Sequence, residues 1–221
     1  MSAHDLSLHL VTDERVPFPR LREVVADAVD GGVTVVQLRA KRASARDLID
    51  QSVALSHVIA GRATFVVDDR VDVALAARDA GARVDGVHLG QSDVPPRTAR
   101  RLLGAHALIG WTANTAAHLA AAAAMPAHTL DYLGVGVIRP TATKPDHPEP
   151  LGIDGFAALA AATPLPCVAI GGVRLEDVGP LRRAGAAGVA VVSAICAAED
   201  PGATARAFAA AGAPVEAGAG R

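Results

Sequence analysis

The chain is poor in the residues that usually staple a fold or stack against a ligand. Only two cysteines, Cys167 and Cys196, occur in 221 residues. Each sits in or near the end of an apolar, strand-like run, and they form no C-x-x-C or metal-ligand spacing, so a reduced, cytoplasmic setting is expected. Aromatic residues make up 3% of the sequence against 51% apolar residues in all. Val, Leu, Ile and Ala therefore have to fill the core, which suits helices packed closely on a buried parallel sheet. No charge-free apolar stretch reaches the roughly 18 residues of a membrane span, and Met1 to Leu10 lacks the basic start and apolar centre of a signal peptide. A net charge of -2 gives no broad attraction for nucleic acid or an anionic membrane, so any anion has to be recognised locally. Lysine is scarcest of all: among 21 basic residues, only Lys41 and Lys144 are lysines.

What the sequence does have is repetition. Short β-branched runs recur about every 20 to 30 residues, each followed by an amphipathic or Ala-rich stretch. The strands predicted in this way are Leu6 to Thr12, Val33 to Leu38, Thr64 to Val67, Gly86 to Leu89, Ala107 to Trp111, Tyr132 to Gly136, Cys167 to Ile170 and Gly188 to Val192. Asp30-Gly31-Gly32, Ala80-Gly81 and Ala184-Gly185 read as helix stops just before the next strand. The even repeat, without a G-x-G-x-x-G after the first strand, favours closure over an open doubly wound sheet. The expectation is a single-domain α/β protein, a (β/α)8 TIM barrel over residues 1–210, with an Ala-, Gly- and Pro-rich flexible tail over residues 211–221.

Barrel enzymes carry their chemistry where the strands end. In order, those positions offer Thr12-Asp13, Gln37 to Lys41, Asp68-Asp69, His88 to Asp93, Thr112 to Asn114, Thr141 to Lys144, Gly171-Gly172 and Val192-Ser193. Both lysines fall in this set, as suits compact ammonium groups that meet an anion. Gln37, Arg39 and Lys41 alternate, so continued strand geometry points all three to one side. Asp68 and Asp93 end neighbouring strands. Two hard oxygen ligands there suit Mg²⁺ held jointly with phosphate oxygens, and either carboxylate also fits as a helix cap. Asp69 reads as the cap of a helix starting at Arg70, and His88 as a packed, hydrogen-bonded histidine. Gly171-Gly172 precedes a helix expected near Leu175, and Val192-Ser193 opens the last helix, so backbone N–H groups can approach an anion closely at both places. Prolines 140, 145, 148 and 150 stiffen a long polar loop suited to covering a substrate.

Taken in order, the motifs Gln-Leu-Arg-x-Lys, Asp-Asp, His-x-Gly-Gln-x-Asp, Gly-x-Gly, Pro-Thr-x-Thr-Lys, Ile-Gly-Gly and Val-Ser closely resemble the thiamine phosphate synthase family, itself built on a (β/α)8 barrel. The likeness runs from Leu8 to Pro201. It implies condensation of hydroxymethylpyrimidine pyrophosphate with thiazole phosphate, giving thiamine phosphate and pyrophosphate, with Mg²⁺ as cofactor. It also implies that Gln37, Leu38, Arg39, Ala40, Lys41, Val67, Thr112 and Lys144 bind the pyrimidine pyrophosphate, with Arg39, Lys41 and Lys144 catalytic. Asp68 and Asp93 would hold the metal. Thr141, Ala142, Thr143, Gly172, Val192 and Ser193 would hold the thiazole phosphate.

Some positions depart from the family pattern. Val67 stands where Asn is usual before Asp-Asp, Thr112 replaces Ser, and Asn114, Val137 and Arg139 replace His, Pro and often Tyr. Two other functions stay open at this level. One is a thiazole tautomerase, a related barrel that uses a His in the loop where this chain has Asn114. The other is a barrel that binds a phosphate metabolite without turnover. The expected partners are small molecules, with no nucleic acid and no membrane, and assembly into a homo-oligomer is left open.

Overall fold

The computed structural model describes residues 4–141 and 149–213. Among these, strands and helices alternate along the chain. The strands are β1 (Leu8–Val11), β2 (Val35–Leu38), β3 (Thr64–Asp68), β4 (Gly86–Leu89), β5 (Leu108–Thr112), β6 (Tyr132–Gly136), β7 (Cys167–Ile170) and β8 (Ala186–Val191). The helices are α1 (Phe18–Asp30), α2 (Ala45–Ile59), α3 (Val71–Asp79), α4 (Pro96–Leu103), α5 (Ala116–Ala123), α6 (Gly152–Ala161), α7 (Leu175–Arg183), α8 (Ser193–Cys196) and α9 (Pro201–Gly212). Every strand pairs in parallel with the next, and β8 pairs with β1, so the sheet closes into the eightfold barrel that the repeat predicts.

Strand ends differ from the expected ones by a few residues, for local reasons. β1 starts at Leu8 and not Leu6, because the partner register on β8 begins at Leu8↔Val189. β8 stops at Val191 because Val192, at φ -117° and ψ -86°, already turns the chain into α8. The last helix, α9, continues to Gly212, two residues into the stretch read as tail, while residues from 214 onward lie outside the described residues.

Alternation along each strand sorts its side chains between two environments. On β3, Phe65 and Val67 join the large apolar layer under the helices, whereas Val66 joins a smaller cluster on the barrel axis. The helices answer with apolar stripes. Leu21, Val24, Val25, Ala28 and Val29 form the buried face of α1, at the spacing of one helical side. The ring of helices closes where α1 meets α9, so tightly that a Cβ on Gly31 would lie 2.5 Å from the Gly202 carbonyl oxygen.

The barrel axis holds a polar stack. Tyr132 and His88 lie across the interior because Gly110 and Gly134 leave the space: a Cβ on Gly110 would come within 2.2 Å of the Tyr132 ring, and one on Gly134 within 2.8 Å of His88. His9 meets the Tyr132 ring edge-on with centroids 5.3 Å apart, and its Nε2 is buried without a hydrogen-bond partner among the described residues. Burial, helped by neighbouring His88, lowers the His9 pKa to about 3. Burial likewise lowers that of His88 to about 4.

These imidazoles stay neutral in the fold but take up protons in the unfolded chain below the ordinary value of 6.5. Their contribution to stability is therefore kept above that pH and lost as the pH falls through it, until the folded groups titrate. His9 alone is expected to remove about 2 kcal/mol between pH 7 and pH 5. Urea unfolding at the two pH values should show a smaller loss for His9→Phe than for the wild type. Equal losses would place the acid sensitivity elsewhere.

Candidate active site

A cavity of about 400 Å³ opens over the C-terminal ends of the strands. Its acidic and basic wall comes from β2 to β4. Gln37, Arg39 and Lys41 all line it, as their alternation predicts. The register persists beyond β2 because buried Thr12, just past β1, grips residue 39: its Oγ1 accepts the Arg39 N–H at 2.9 Å and donates to the Arg39 carbonyl at 3.3 Å. Two cationic side chains are thereby held on the same side as Gln37.

Three carboxylates face these groups. Asp68, at the end of β3, accepts from Gln37 Nε2 at 2.5 Å and lies 3.6 Å from Arg39 Nε and 3.5 Å from Lys41 Nζ. Its burial raises its pKa, and the two cations work against that rise. Asp69 follows in a left-handed conformation, φ 60°, with its N–H bonded to the His88 carbonyl at 2.8 Å. That turn carries its carboxylate into the cavity, where it pairs with Lys41. Burial opposes the Lys41 charge, but Asp68 and Asp69 together hold the ammonium above the ordinary lysine range. Asp93 accepts the Gly90 N–H at 2.7 Å; burial, and then the adjacent Asp69 carboxylate, raises its pKa.

The expectation for Asp69 is thus corrected. Arg70 and not Asp69 holds the N-cap position of α3, with no side-chain cap bond. The carboxylate that meets Asp93 belongs to Asp69, while that of Asp68 is engaged by Gln37, Arg39 and Lys41. Asp is one of the few non-glycine residues that tolerate the left-handed region, but that tolerance belongs to Asp68 and Asp69 alike and does not say which of them makes the turn.

Three other expected residues are placed away from the main cavity. Leu38 and Val67 are 1% and 0% exposed and face the helices, because on β2 and β3 they alternate with Gln37 and Asp68. Ala40 lines a separate groove between this loop and α1. None of the three reaches the main cavity, so Val67 removes no polar contact from it.

The floor is polar. Thr112 lines it, with Oγ1 3.1 Å from His88 Nε2, while His88 Nδ1 lies 3.0 Å from the Tyr132 hydroxyl. Asn114 is also on the cavity, and its Oδ1 accepts the Gly136 N–H at 3.3 Å. The facing wall is apolar apart from its backbone and a few hydroxyls. Gly171 and Gly172, at φ 91° and 65°, form a tight turn before α7, and Val192 and Ser193 line the cavity at the start of α8. Thr141 lines it as well, whereas Ala142, Thr143 and Lys144 lie outside the described residues. Cys167 and Cys196 are free and buried, and burial pushes both thiols up to about 11, so neither is an activated nucleophile.

The family model described as thiamine monophosphate synthase matches residues 8–195, which include all eight strands. The chain belongs to the thiamine monophosphate synthase family. Among proteins of that kind, a thiamine-phosphate synthase from Psychrobacter sp. (strain PRwf-1) is 44% identical over 201 residues, covering 90% of this chain and 92% of that one. Another, from Albidiferax ferrireducens, is 47% identical over 206 residues and covers 90% of each chain. A solved thiamine phosphate pyrophosphorylase from Pyrococcus furiosus superposes with a TM-score of 0.81 at 31% identity, over 95% of this chain and 96% of that one. A 3-hexulose-6-phosphate synthase at 16% identity and TM-score 0.69 shares the fold alone.

In this member of the thiamine monophosphate synthase family, the floor depends on the phenol below it. Tyr132→Phe leaves His88 Nδ1 without its buried partner, a loss worth about 1–3 kcal/mol. For a domain of this size the melting temperature should fall by about 2–4 °C per kcal/mol, measured by scanning calorimetry. An unchanged melting temperature would show that another group satisfies the imidazole.

Proposed function

We propose that the chain joins hydroxymethylpyrimidine pyrophosphate to thiazole phosphate in this cavity, giving thiamine phosphate and pyrophosphate. The observation that carries the reading is the division of the cavity. One wall sets Arg39 and Lys41 beside paired carboxylates, and the other presents a double-glycine turn at the start of α7. Such a site can receive two separate anionic groups at once, as this condensation requires.

The donor set fits Mg²⁺. Asp69 and Asp93 bring two carboxylates together, an arrangement of hard oxygens that favours a divalent cation and leaves its other positions to water and pyrophosphate. When bound, Mg²⁺ supplies neutralisation of the charge that grows on the departing pyrophosphate oxygens.

Arg39 and Lys41 hold those same oxygens. When the C–O bond breaks, its electron pair leaves with pyrophosphate, and the methylene carbon is left cationic and conjugated to the electron-rich aminopyrimidine. Val137, Ile170 and Val173 line this space and keep water from the cation. The thiazole nitrogen, held by its phosphate within attack distance, donates its lone pair to form the C–N bond. The balance needs no side-chain nucleophile and no proton transfer from the protein. A tautomerase, by contrast, needs a base: where its loop histidine would stand, the β5 loop places the Asn114 amide, which accepts the Gly136 N–H. Among the described residues no helix is long and apolar enough to cross a membrane, and the two buried thiols support a cytoplasmic setting.

Incubation with both substrates should give thiamine phosphate with Mg²⁺ and none after chelation. Substrate binding without product at any Mg²⁺ concentration would overturn the reading. Asp69→Ala should raise the Mg²⁺ concentration needed for half-maximal rate by about 10- to 100-fold, as loss of a metal ligand or its support does. Asp68→Asn should leave that concentration near the wild-type value, whereas the reverse pattern would make Asp68 the ligand.

A further inference from the structure

The condensation makes no use of a buried ion pair that stands beside the cavity. Asp177, in the first turn of α7, is 2% exposed. Its carboxylate accepts from Arg139 Nε at 2.8 Å and Nη2 at 2.5 Å, and its Oδ2 also accepts the Arg174 N–H at 3.0 Å. One side chain thus caps α7 and grips the segment that leaves β6. Arg139 holds that carboxylate well below the usual range, with its paired hydrogen bonds as the main cause.

The segment it grips lies directly on the double-glycine turn. The Arg139 N–H donates to the Gly171 carbonyl at 3.0 Å, as does that of Ile138. A Cβ on Gly172 would lie 2.8 Å from the Arg139 carbonyl oxygen and 2.9 Å from that of Pro140. The backbone of residues 138–140 therefore defines one side of the turn, and the next residue, Thr141, lines the cavity. Arg139 does not line that cavity; its side chain borders a separate, shallow depression with Ile138 and Gly152–Asp154. Its Nε and Nη2 are committed to Asp177, and its backbone is what meets the turn.

We propose that the Arg139–Asp177 pair is a positioning device for the thiazole phosphate. It sets residues 139–141 against Gly171–Gly172 before the ligand arrives, so the phosphate donors are arranged in advance. A second effect follows from charge. An unpaired Asp177 carboxylate at the start of α7 would compete with the substrate phosphate for the positive end of the helix, and Arg139 neutralises it. The planar fork of Arg matches a carboxylate in two bonds, which Lys cannot reproduce. This inference rests on the proposed condensation for the identity of the phosphate.

Steady-state kinetics on Arg139→Ala, Arg139→Lys, Asp177→Asn and the double variant Arg139→Ala/Asp177→Asn test it. Each single loss should raise KM for thiazole phosphate about tenfold, equivalent to about 1.4 kcal/mol, and leave KM for the pyrimidine pyrophosphate within twofold. The double variant should be no worse than the worse single one, and Arg139→Lys should recover only part of the loss. A thiazole phosphate KM within twofold of wild type, a parallel rise in both KM values, or additive single effects would overturn the proposal. If Asp177→Asn does not fold, the two Arg139 variants carry the same comparison. Calorimetric titration with inorganic phosphate keeps the test separate from turnover: if the wild type makes no thiamine phosphate, the condensation fails, and the pair is still judged by whether Arg139→Ala binds phosphate more weakly than the wild type. Equal binding would overturn it.

Discussion

Closure of the sheet through the pairing of β8 with β1 is the constraint on which everything else in this molecule rests. A closed parallel sheet has no free edge, and each strand must place every second side chain inside. That parity decides function residue by residue. Gln37, Asp68, His88 and Thr112 stand at the inward positions nearest the open end and meet the cavity, while Leu38, Val67, Leu89 and Trp111, each one residue away, are spent on the layer beneath the helices. A shift of one residue in any of these strands would exchange the two sets.

The interior stack shows what the closed geometry costs and what it provides. A barrel of this width cannot hold large side chains at every inward position, and the glycines at 110 and 134 yield their volume to Tyr132 and His88. The phenol can then support the imidazole, and the imidazole the Thr112 hydroxyl, in an unbroken hydrogen-bonded column from the barrel centre to the cavity floor. Burial keeps the imidazole neutral, so the floor carries hydrogen-bonding groups without charge, while the charges stand above it on the β2 to β4 ends.

Much of this was legible in the sequence, and the failures share a cause. The eight runs, the helix stops and the alternation of Gln37, Arg39 and Lys41 are periodic features, and periodicity survives projection onto one dimension. Motif resemblance assigns residues along a string and ignores parity, whereas strand alternation turns the Leu38 and Val67 side chains to the helices and away from the cavity. Asp68 and Asp69 could not be told apart because their roles depend on a single backbone torsion, the φ of 60° at Asp69. The bond between Arg139 and Asp177, 38 residues apart, has no periodic trace and becomes visible only when β6 and α7 are side by side.

A chain with a net charge of -2 still has to attract a strongly anionic substrate, and it does so by placement. Before a ligand arrives, Arg39 and Lys41 are already held by Asp68 and Asp69, so the wall carries little local charge. The Lys41 ammonium is about half exposed, so solvent screens its pairing, and a pyrophosphate bearing more charge and more acceptor oxygens can compete for it. In the proposed reaction the Asp69 carboxylate freed from Lys41 would then be an oxygen donor beside Asp93. In that reaction cation release and metal capture would use the same side chain, Asp69, which accounts for an anion site lined by three carboxylates, Asp68, Asp69 and Asp93, against the two cations Arg39 and Lys41.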